Sequence, residues 1–513
     1  MKLIRWFLLA SALTACLLAT ATAAEFDGYI VQIEKPVRLL SASEEPDLPD
    51  MTKIHAKGGV YRVEDEQALD ELRAQGLLIS AEPNYIVTLD DLPTPEKRNS
   101  NSRPFGFSDV TADLPPNAVL LDASNSENQW YASALEMDWV SEQGVKGKGV
   151  RVGVVDSGIF KGHQDFKGVK VLDGANYVTG GDPKDVSDGV GHGTFVSGLI
   201  AAAENGVGIA GLAPEVELVP LKCFDSKTGS IANIAAAIYA AVDTWHCQVL
   251  NLSLGIEKES EVLKKAIEYA DNAGVIMVAA AGNLLSGEHD PNGDPLNYPA
   301  AYSQVIGVGA VDSALSAASF SYRNKSVDIA APGRNLRGPS YSNAKQYSTG
   351  YGTSYAAPMV TAAAALALSA NPKLTSAQVR DMLINTVRDA GEPGYDTTYG
   401  YGLLHIGRLV AAAKGNLLHQ AEVVREQIAD TKAPTPGLFA AAYGADGAFL
   451  GLRDVSPTVA LDREPNATPV LWEADSAALS EETFKLPGAA SWKLFPFDRF
   501  TFSPGGTSQK LYG

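Results

Sequence analysis

The chain has 513 residues, of which 45% are hydrophobic and 20% are charged, and its formal net charge is −19. This length allows two or three domains, one of them large, and the composition is ordinary for a folded protein. The excess of acidic residues argues against a nucleic-acid partner, because nucleic acids favour basic surfaces.

The first 24 residues have the pattern of a secretory signal peptide. Lys2 and Arg5 form a basic start, residues 6–18 are apolar, and Ala21-Thr22-Ala23 matches the small-residue cleavage pattern. The apolar run is short for a membrane span, so we expect a secreted chain without one. Anchoring through a lipid on Cys16 is the alternative, because residues 13–16 (LTAC) are similar to a bacterial lipoprotein box. The residues after Cys16 stay apolar, which favours cleavage near residue 23 or 24.

Residues 25–90 are predicted to form a small α+β unit. GYIVQI and GVYRV are typical of strands, and DEQALDELRAQG is typical of a short helix that ends at Gly76. LLISAEPNYIVTL is predicted to be two strands that turn at residues 82–84. Residues 91–127 are rich in Pro, Ser and Asn without periodicity, so we interpret them as a linker.

Strands and helices alternate from residue 148 to about residue 411. The strand patterns are GVRVGVVD, VELVPLKCF, QVLNLSLG, VIMVAAAGN, QVIGVGAV and VDIAAPG. The helix patterns are HGTFVSGLIAAAE, IANIAAAIYAAVDTW, EVLKKAIEYADNAG and TSYAAPMVTAAAALALSA. Such alternation predicts right-handed βαβ units and a mostly parallel sheet covered by helices on both faces, a three-layer α/β fold.

The last part of the chain has a different pattern. TKAPTPG at 431–437 indicates a boundary, and strand-like stretches between Gly and Pro turns follow it. We expect a helical or linker connection over residues 413–436 and a small β module over residues 437–513, without a catalytic pattern. Once the signal is removed, Cys223 and Cys247 are the remaining cysteines. Both lie in strand-like apolar runs, which favours two buried thiols over a disulfide.

Four polar residues stand where strands end or helices begin. Asp156 follows GVRVGVV, His192 begins a helix, Asn283 ends VIMVAAAGN, and Ser354 begins the Ala-rich helix. Each alone is most often a cap, a turn residue or another structural residue. However, sites in parallel α/β sheets form at the carboxyl ends of the strands, where these four residues are predicted to meet.

The chemistry of the four residues is complementary. A serine is a poor nucleophile unless a base accepts its proton, and His192 can be that base while Asp156 holds its tautomer. The Asn283 amide and the Ser354 N–H can stabilise an oxyanion. Gly352 leaves the approach to Ser354 uncrowded, and the helix N-terminus favours developing negative charge. Ser354 is therefore better interpreted as a nucleophile than as a cap.

Five motifs then resemble those of subtilisin-family serine proteases. They are DSGI at 156–159, HGT at 192–194, SLG at 253–255, AAAGN at 279–283 and GTSYAAP at 352–358. The chain order Asp, His, Ser is also that of the family. The resemblance covers about residues 125–412 and implies an endopeptidase domain over residues 128–412 that forms an acyl-enzyme at Ser354. It also implies that residues 25–90 are an inhibitor-like propeptide, with AEPNYIV as the most similar piece.

The resemblance extends to substrate-binding positions. Ser253, Leu254 and Gly255 match the backbone that pairs with an extended peptide and walls the S1 pocket. The other positions that match the pocket are Ala281 and Gly282 on the opposite wall and Asn297 on the floor. We expect broad specificity with an apolar P1 residue. A processing protease selective for a basic P1 residue is the alternative, because three acidic residues precede Asn297: Glu288, Asp290 and Asp294.

A structural calcium site is also implied by the resemblance. Calcium prefers six to eight oxygen ligands. The matching positions are the Asp165 carboxylate, the Asn205 amide, the carbonyls of Ala203, Val207 and Ile209, and, as a weaker candidate, Gln129. A solvated turn is the alternative for this loop. No cofactor is expected for catalysis itself.

The remaining expectations concern partners and rival functions. We expect protein or peptide substrates, the propeptide as an intramolecular inhibitor, and a monomer. Tyr355 occupies the place usually held by Met in the family, which predicts a narrower leaving-group side. One rival is a catalytically silent scaffold with the same fold. The other is an α/β-hydrolase esterase, but that fold requires G-x-S-x-G and the order Ser, Asp, His, whereas this chain has GTSYA with the serine last.

Overall fold

The structure, a computed structural model, describes residues 26–34, 49–89, 129–284, 288–392, 394–415, 434–444, 449–454, 472–475 and 489–500. The predicted signal peptide (1–24) and linker (91–127) lie outside these residues, as does most of the predicted 413–436 connection.

The N-terminal unit is an antiparallel sheet with one helix. Its strands β1 to β4 are Phe26–Ile33, Thr52–His55, Val60–Val63 and Leu78–Thr88, and its helix α1 is Glu66–Ala74. Asp65 caps α1, since its side chain accepts from Ala68 N at 3.0 Å. Gly76, just after the helix, has a φ of +67° that favours glycine. The prediction of two strands turning at residues 82–84 is wrong, because β4 is one continuous strand.

The peptidase region contains a central parallel sheet, which confirms the predicted three-layer α/β class. The strand order is β13-β12-β11-β10-β5-β8-β6, with β7 also paired to β8. Every pair in this sheet is parallel. These strands are β5 Arg151–Asp156, β6 Lys170–Val171, β7 Ala175–Asn176, β8 Glu217–Lys222, β10 Val249–Leu252, β11 Ile276–Ala280, β12 Val305–Val311 and β13 Ile329–Pro332.

Helices cover both faces of the central sheet. They are α2 Tyr131–Ala134, α3 Met137–Glu142, α4 His192–Ala201, α5 Ile231–Asp243, α6 Glu261–Asn272, α7 Thr353–Ala370, α8 Ser376–Asn385 and α9 Ile406–Ala413. One apolar core contains side chains of α4, α7 and α9, and the other contains those of α5 and α6. Neighbouring strand residues divide between the cores, with Val154 in the first and Val155 in the second, because successive side chains point to opposite faces of a sheet.

Helix α7 is the central element of the first core. In the described part of the chain it is the one helix long and apolar enough to cross a membrane, but it is buried inside the protein. A helix that is apolar on all sides is typical of a core helix. The hairpin β14 Leu336–Pro339 and β15 Tyr347–Gly350 precedes it and was not predicted.

The N-terminal unit packs against the peptidase region through β4. The end of β4 pairs antiparallel with β9, Thr228–Ser230. Glu82 and Asn84 are two residues apart, so they lie on the same side of the strand. The Glu82 carboxylate accepts from Ser260 Oγ and from the N–H groups of Glu261 and Val262 at the start of α6. Asn84 Oδ1 accepts from Ala232 N at the start of α5 at 2.9 Å.

The C-terminal residues that the structure describes form an antiparallel sheet in the order β17-β16-β19-β18. The strands are β16 Pro434–Gly444, β17 Phe449–Asp454, β18 Trp472–Asp475 and β19 Ala489–Phe500. The predicted boundary between residues 436 and 437 falls inside β16, so the β module begins by residue 434. Cys223 and Cys247 are both free and buried, as predicted.

Candidate active site

Asp156 and His192 form a buried contact at the carboxyl edge of the sheet. Asp156 ends β5 and His192 begins α4, and the two side chains are 0% and 8% exposed. His192 Nδ1 lies 2.8 Å from Asp156 Oδ1 and 2.9 Å from Oδ2. The backbone N–H of Ser157 also donates to Asp156 Oδ1 at 2.7 Å. Because the carboxylate fixes Nδ1 as the protonated nitrogen, it leaves Nε2 of His192 as a base.

A second buried carboxylate, Asp188, joins the two segments that carry this pair. Its Oδ1 accepts from Ser157 Oγ at 2.9 Å, and its Oδ2 accepts from Thr194 N at 2.8 Å and Thr194 Oγ1 at 2.6 Å. Ser157 Oγ in turn accepts from Gly193 N at 2.9 Å. Asp188 was not predicted from the sequence. Asp188 lies just before a helix, where the first N–H groups need acceptors, and an acidic residue at such a place could have been predicted to hold the helix start.

Ser354 is the second residue of α7 and is 2% exposed. Its Oγ donates to the Ser253 carbonyl at 3.3 Å. Gly352, which precedes the helix, has a φ of +149°. In this first turn Thr353 N donates to Asn283 Oδ1 and Tyr355 N donates to the Gly352 carbonyl. The Ser354 N–H between them is therefore the one suited to an anion at this helix end.

Tyr355 is turned into the protein interior. Its ring centroid lies 4.4 Å from that of Phe195 and 5.4 Å from that of His192, and the side chain is 4% exposed. Burial raises the pKa of its hydroxyl. The ring lies beside the His192 ring, and a narrower leaving-group side stays a prediction. Gly350 leaves the internal space that the Tyr355 ring fills. A Cβ added at Gly350 would press on both the Phe195 and Tyr355 rings.

Asn283 is held by the residue before Ser354. Its Oδ1 accepts from Thr353 N at 2.9 Å and from Thr353 Oγ1 at 3.2 Å. Thr353 Oγ1 also accepts from Gly282 N at 3.2 Å. Since Oδ1 is engaged by Thr353, the planar amide directs Nδ2 away from that residue. An amide N–H fixed in this way is suited to an oxyanion that develops at Ser354.

Asn297, the predicted pocket floor, lies against Gly255 and the end of β11. A Cβ added at Gly255 would overlap the Asn297 side chain, and Asn297 Nδ2 donates to the Ala280 carbonyl at 3.0 Å. Asn297 therefore joins the wall formed by residues 253–255 to the end of β11. The other predicted wall residues, Leu254 and Ala281, are buried. Gly282 has a φ of +110°, and an added Cβ there would overlap the Tyr322 ring.

Two carboxylates of the acidic loop before Asn297, those of Asp290 and Asp294, have partners within the protein. Asp294 accepts from the N–H groups of Asp290 and Arg323 and pairs with His289 Nδ1 at 2.7 Å. Burial by itself would raise the pKa of Asp294, but His289 and the two N–H groups outweigh it and hold the pKa below its ordinary value. Asp290 Oδ1 accepts from the Asn292 N–H at 2.8 Å. The buried Asp294 carboxylate is therefore engaged within the protein through both of its oxygens.

The structure brings the predicted calcium ligands to one place. Residues 203–209 fold over the buried Asp165, whose carbonyl accepts from Ala203 N and whose Oδ2 accepts from Ile209 N. Asn205 Nδ2 donates to the Gln164 carbonyl at 3.1 Å. Gln129 reaches the same loop through two hydrogen bonds with Ala210. Asn205 and Val207 are exposed, whereas Ile209 is buried.

The donors of this loop fit a hard cation. Asp165 Oδ1 accepts from Tyr347 Oη at 2.5 Å, but within the described residues no Lys or Arg side chain forms a salt bridge with it. Burial raises the pKa of Asp165, so a cation would stabilise its charged form. Among the described residues there is no group of three or more His, Cys, Asp or Glu side chains suited to a metal. A cation here would therefore rely on amide and backbone oxygens, which suits calcium.

Comparisons with known proteins agree with this geometry. The Peptidase_S8 model of the subtilase family matches residues 147–402. Subtilisin DY of Bacillus licheniformis is 40% identical over 273 residues, which cover 53% of this chain and 94% of that protein. The thermostable alkaline protease of Halalkalibacterium halodurans is 37% identical over 280 residues, 54% of this chain and 72% of that protein. Subtilisin E of Bacillus subtilis is 32% identical over 390 residues, 74% of this chain and 89% of that protein.

These matches include the region that carries Asp156, His192, Asn283 and Ser354, and they exclude the esterase alternative, which belongs to a different fold. The chain belongs to the subtilase family and is a subtilisin-type serine endopeptidase.

Proposed function

We propose that this endopeptidase is secreted and cleaves a broad range of protein substrates through an acyl-enzyme on Ser354. The observation that carries the proposal is the buried His192–Asp156 contact of 2.8 Å at the edge of the sheet where α7 presents Ser354. A buried imidazole held in one tautomer by a carboxylate is the arrangement that a serine nucleophile requires.

The proposed mechanism has two halves. His192 Nε2 accepts the Ser354 Oγ proton while Oγ bonds to the scissile carbonyl carbon, and Asn283 Nδ2 and Ser354 N donate to the oxyanion. His192 then gives the proton to the leaving amine, so the C–N bond breaks and the acyl-enzyme remains. In the second half His192 takes a proton from water, the resulting hydroxide equivalent bonds to the acyl carbon, and Ser354 Oγ leaves with the proton from His192.

Labelling by a fluorophosphonate tests this mechanism. Wild type is expected to become covalently labelled and to cleave casein, and Ser354→Ala is expected to lose both while its thermal unfolding stays close to wild type. Ser369→Ala, which changes a half-buried residue near the end of the same helix, is the control. A folded wild-type protein that neither labels nor cleaves would instead support the catalytically silent scaffold.

For specificity, we favour an apolar P1 residue. The pocket walls are apolar, and the carboxylates of Asp290 and Asp294 are engaged within their own loop. Profiling with a peptide library tests this proposal. A marked preference for Lys or Arg at P1 would show that an acidic group reaches the pocket after all.

Calcium is proposed as a structural ion held by Asp165, Asn205, Gln129 and the carbonyls of residues 203, 207 and 209. A cation that binds only the folded state stabilises it by mass action. In the inactive Ser354→Ala variant, which avoids autolysis, EDTA is expected to lower the melting temperature and calcium to restore it. Asp165→Asn should abolish this response. An unchanged melting curve in calcium-free protein would contradict the site.

Residues 25–90 are proposed to be the propeptide, with residues 91–127 as linker and 128–412 as the peptidase domain. The contacts of Glu82 and Asn84 with the starts of α5 and α6 support this division. The match to subtilisin E is also longer than the peptidase region alone. Mass spectrometry of the purified enzyme tests it, since wild type should lose residues 25–90 and Ser354→Ala should retain them.

Secretion is supported by the signal pattern at residues 1–24 and by a relative named minor extracellular protease Epr, of Bacillus subtilis, which is 34% identical over 317 residues. Ser354→Ala is expected in the culture medium with a new N-terminus near residue 24 or 25. Retention in the membrane fraction with a lipid on Cys16 would show the alternative route.

A further inference from the structure

The carbonyl oxygen of Ser354 cannot receive the usual hydrogen bond of its own helix. A carbonyl in an α-helix accepts from the N–H four residues further on, and that residue is Pro358. Proline has no N–H, and its ring presses against the carbonyl four residues before it. Because Ser354 is buried, its carbonyl needs a donor from elsewhere in the protein.

Ser253 supplies this donor. Its Oγ donates to the Ser354 carbonyl at 2.6 Å. The same Oγ accepts from Asn251 Nδ2 at 2.8 Å, which leaves the hydroxyl proton free to point at Ser354. Ser253 follows β10, the strand that ends at the substrate-binding segment. The contact therefore joins the nucleophile's own backbone to that segment.

A third hydrogen bond returns to the same helix. Thr361 Oγ1 donates to Asn251 Oδ1 at 2.9 Å, and Thr361 lies about two turns after Ser354 on α7. Asn251, Ser253 and Thr361 are all fully buried. The three bonds form a closed connection that leaves α7, crosses β10 and returns to α7. Bonds in such a buried chain polarise and strengthen one another.

We propose that Ser253 is a positioning residue for acylation, with Asn251 and Thr361 holding its hydroxyl in place. The proposal rests on the proposed role of Ser354 as nucleophile. The Ser253 hydroxyl fixes the first turn of α7 and thereby sets both Ser354 Oγ and the Ser354 N–H relative to residues 253–255. Small displacements of reacting groups cost large factors in rate, so the effect falls on the chemical step rather than on binding.

Pro358 provides a rescue test. Ser253→Ala is made in the wild-type chain and in a Pro358→Ala chain, where the new N–H at residue 358 can bond to the Ser354 carbonyl within the helix. We measure the second-order rate of fluorophosphonate labelling, kcat and KM. In the wild-type chain Ser253→Ala should lower labelling and kcat by about tenfold, with KM changed by less than about twofold. In the Pro358→Ala chain the same substitution should cost less than about threefold.

Two further variants complete the test. Thr361→Val keeps the shape of the side chain but removes its bond to Asn251, and it should slow labelling by about threefold. Ser369 lies near the end of α7, and its hydroxyl donates to the Lys148 carbonyl. Ser369→Ala should label at the wild-type rate. Thermal unfolding of each variant shows whether it is folded.

The outcomes separate the positioning role from the nucleophile itself. Equal costs of Ser253→Ala in the two chains, or a folded Ser253→Ala protein that labels at the wild-type rate, would overturn the positioning role. If Ser253→Ala does not fold, a wild-type labelling rate in Thr361→Val would overturn it. Failure of the wild-type protein to label would instead refute Ser354 as the nucleophile.

Discussion

The side chain of Asn297 is expected to limit the size of the P1 residue. Its atoms lie against Gly255, and its Nδ2 donates to the Ala280 carbonyl. In this position we expect the amide to occupy the space between the two predicted walls of the pocket. Asn297→Gly removes that amide and leaves both walls unchanged.

The magnitude follows from the volume removed. The substitution deletes about four non-hydrogen atoms, which is room for about three carbon atoms of a larger P1 side chain, each contributing about 0.8 kcal/mol when buried. The loss of the hydrogen bond to Ala280 and partial collapse of the loop offset part of this gain. We expect a net change of about 1.5–2 kcal/mol in favour of a large P1 residue. At about 1.4 kcal/mol per tenfold, the preference for Phe over Ala should rise roughly ten- to thirtyfold.

The assay compares kcat/KM for peptide substrates that differ only at P1, with Ala, Leu and Phe in that position. Asn324→Ala is the matched control. Asn324 is also a buried asparagine whose Nδ2 donates to a loop carbonyl, that of Pro295, but it has no contact with Gly255 in the described structure. The control should keep the wild-type ratio of Phe to Ala.

An unchanged ratio of Phe to Ala in Asn297→Gly would refute the reasoning, because it would place the pocket floor elsewhere. A loss of activity on all three substrates in equal proportion would also refute it. Such a loss would show that Asn297 supports the site through its bond to Ala280 rather than through the size of the pocket.

Three other results are expected. Asn283→Leu should lower kcat by about a hundred- to a thousandfold with little change in KM. This factor is the one known for the loss of one oxyanion donor in a subtilisin. A loss confined to KM would contradict the role of Asn283 as a donor. Tyr355→Met should make activity more sensitive to peroxide than wild type, because a thioether is oxidised to a sulfoxide and a phenol is not; equal sensitivity would show that Tyr355 gives no protection. Asp328 is half-buried, and this burial raises the pKa of its carboxyl to about 6. The folded state therefore binds the Asp328 proton more tightly, and stability should fall as pH rises through 6. Asp328→Asn, measured by thermal unfolding in the Ser354→Ala chain, should be stabilising by about 1–2 kcal/mol at pH 8 and not at pH 4; an equal effect at both pH values would contradict it.

The central sheet was predictable from the sequence because its strands are buried on both faces. Such strands are continuous apolar runs, as in Val249–Leu252 and Ile276–Ala280. The helices on one face begin at Ser230 and Ser260, whose side chains accept from the N–H three residues on. These local signals agree with the tertiary packing, so the six predicted strands of the sheet and these two helices are confirmed, whereas the short strands β6 and β7 were not predicted.

The continuous strand β4 was not predictable, because Glu82-Pro83-Asn84 is typical of a turn. Proline is tolerated in a strand where its missing N–H faces no partner strand. On that side of β4, pairing with β9 is confined to residues 86–88, and residues 82–84 meet helix starts instead. That arrangement depends on the peptidase region, so the local sequence cannot show it. Asp188 did have a local signal, its place just before a helix, but its bond to Ser157 depends on the fold.

The first turn of α7 contacts three parts of the candidate site: the base, the oxyanion donor and the predicted substrate-binding segment. Thr353 holds the Asn283 amide, Ser354 is bonded to Ser253, and the Tyr355 ring supports His192. The helix behind them is buried in Ala and Leu packing, and close-packed interiors transmit displacements rather than absorb them. A core substitution in α7 that shifts the helix should therefore change the base, the nucleophile and the oxyanion donor together. Such a shift would appear mainly in kcat, because the three groups act on the transition state as a unit.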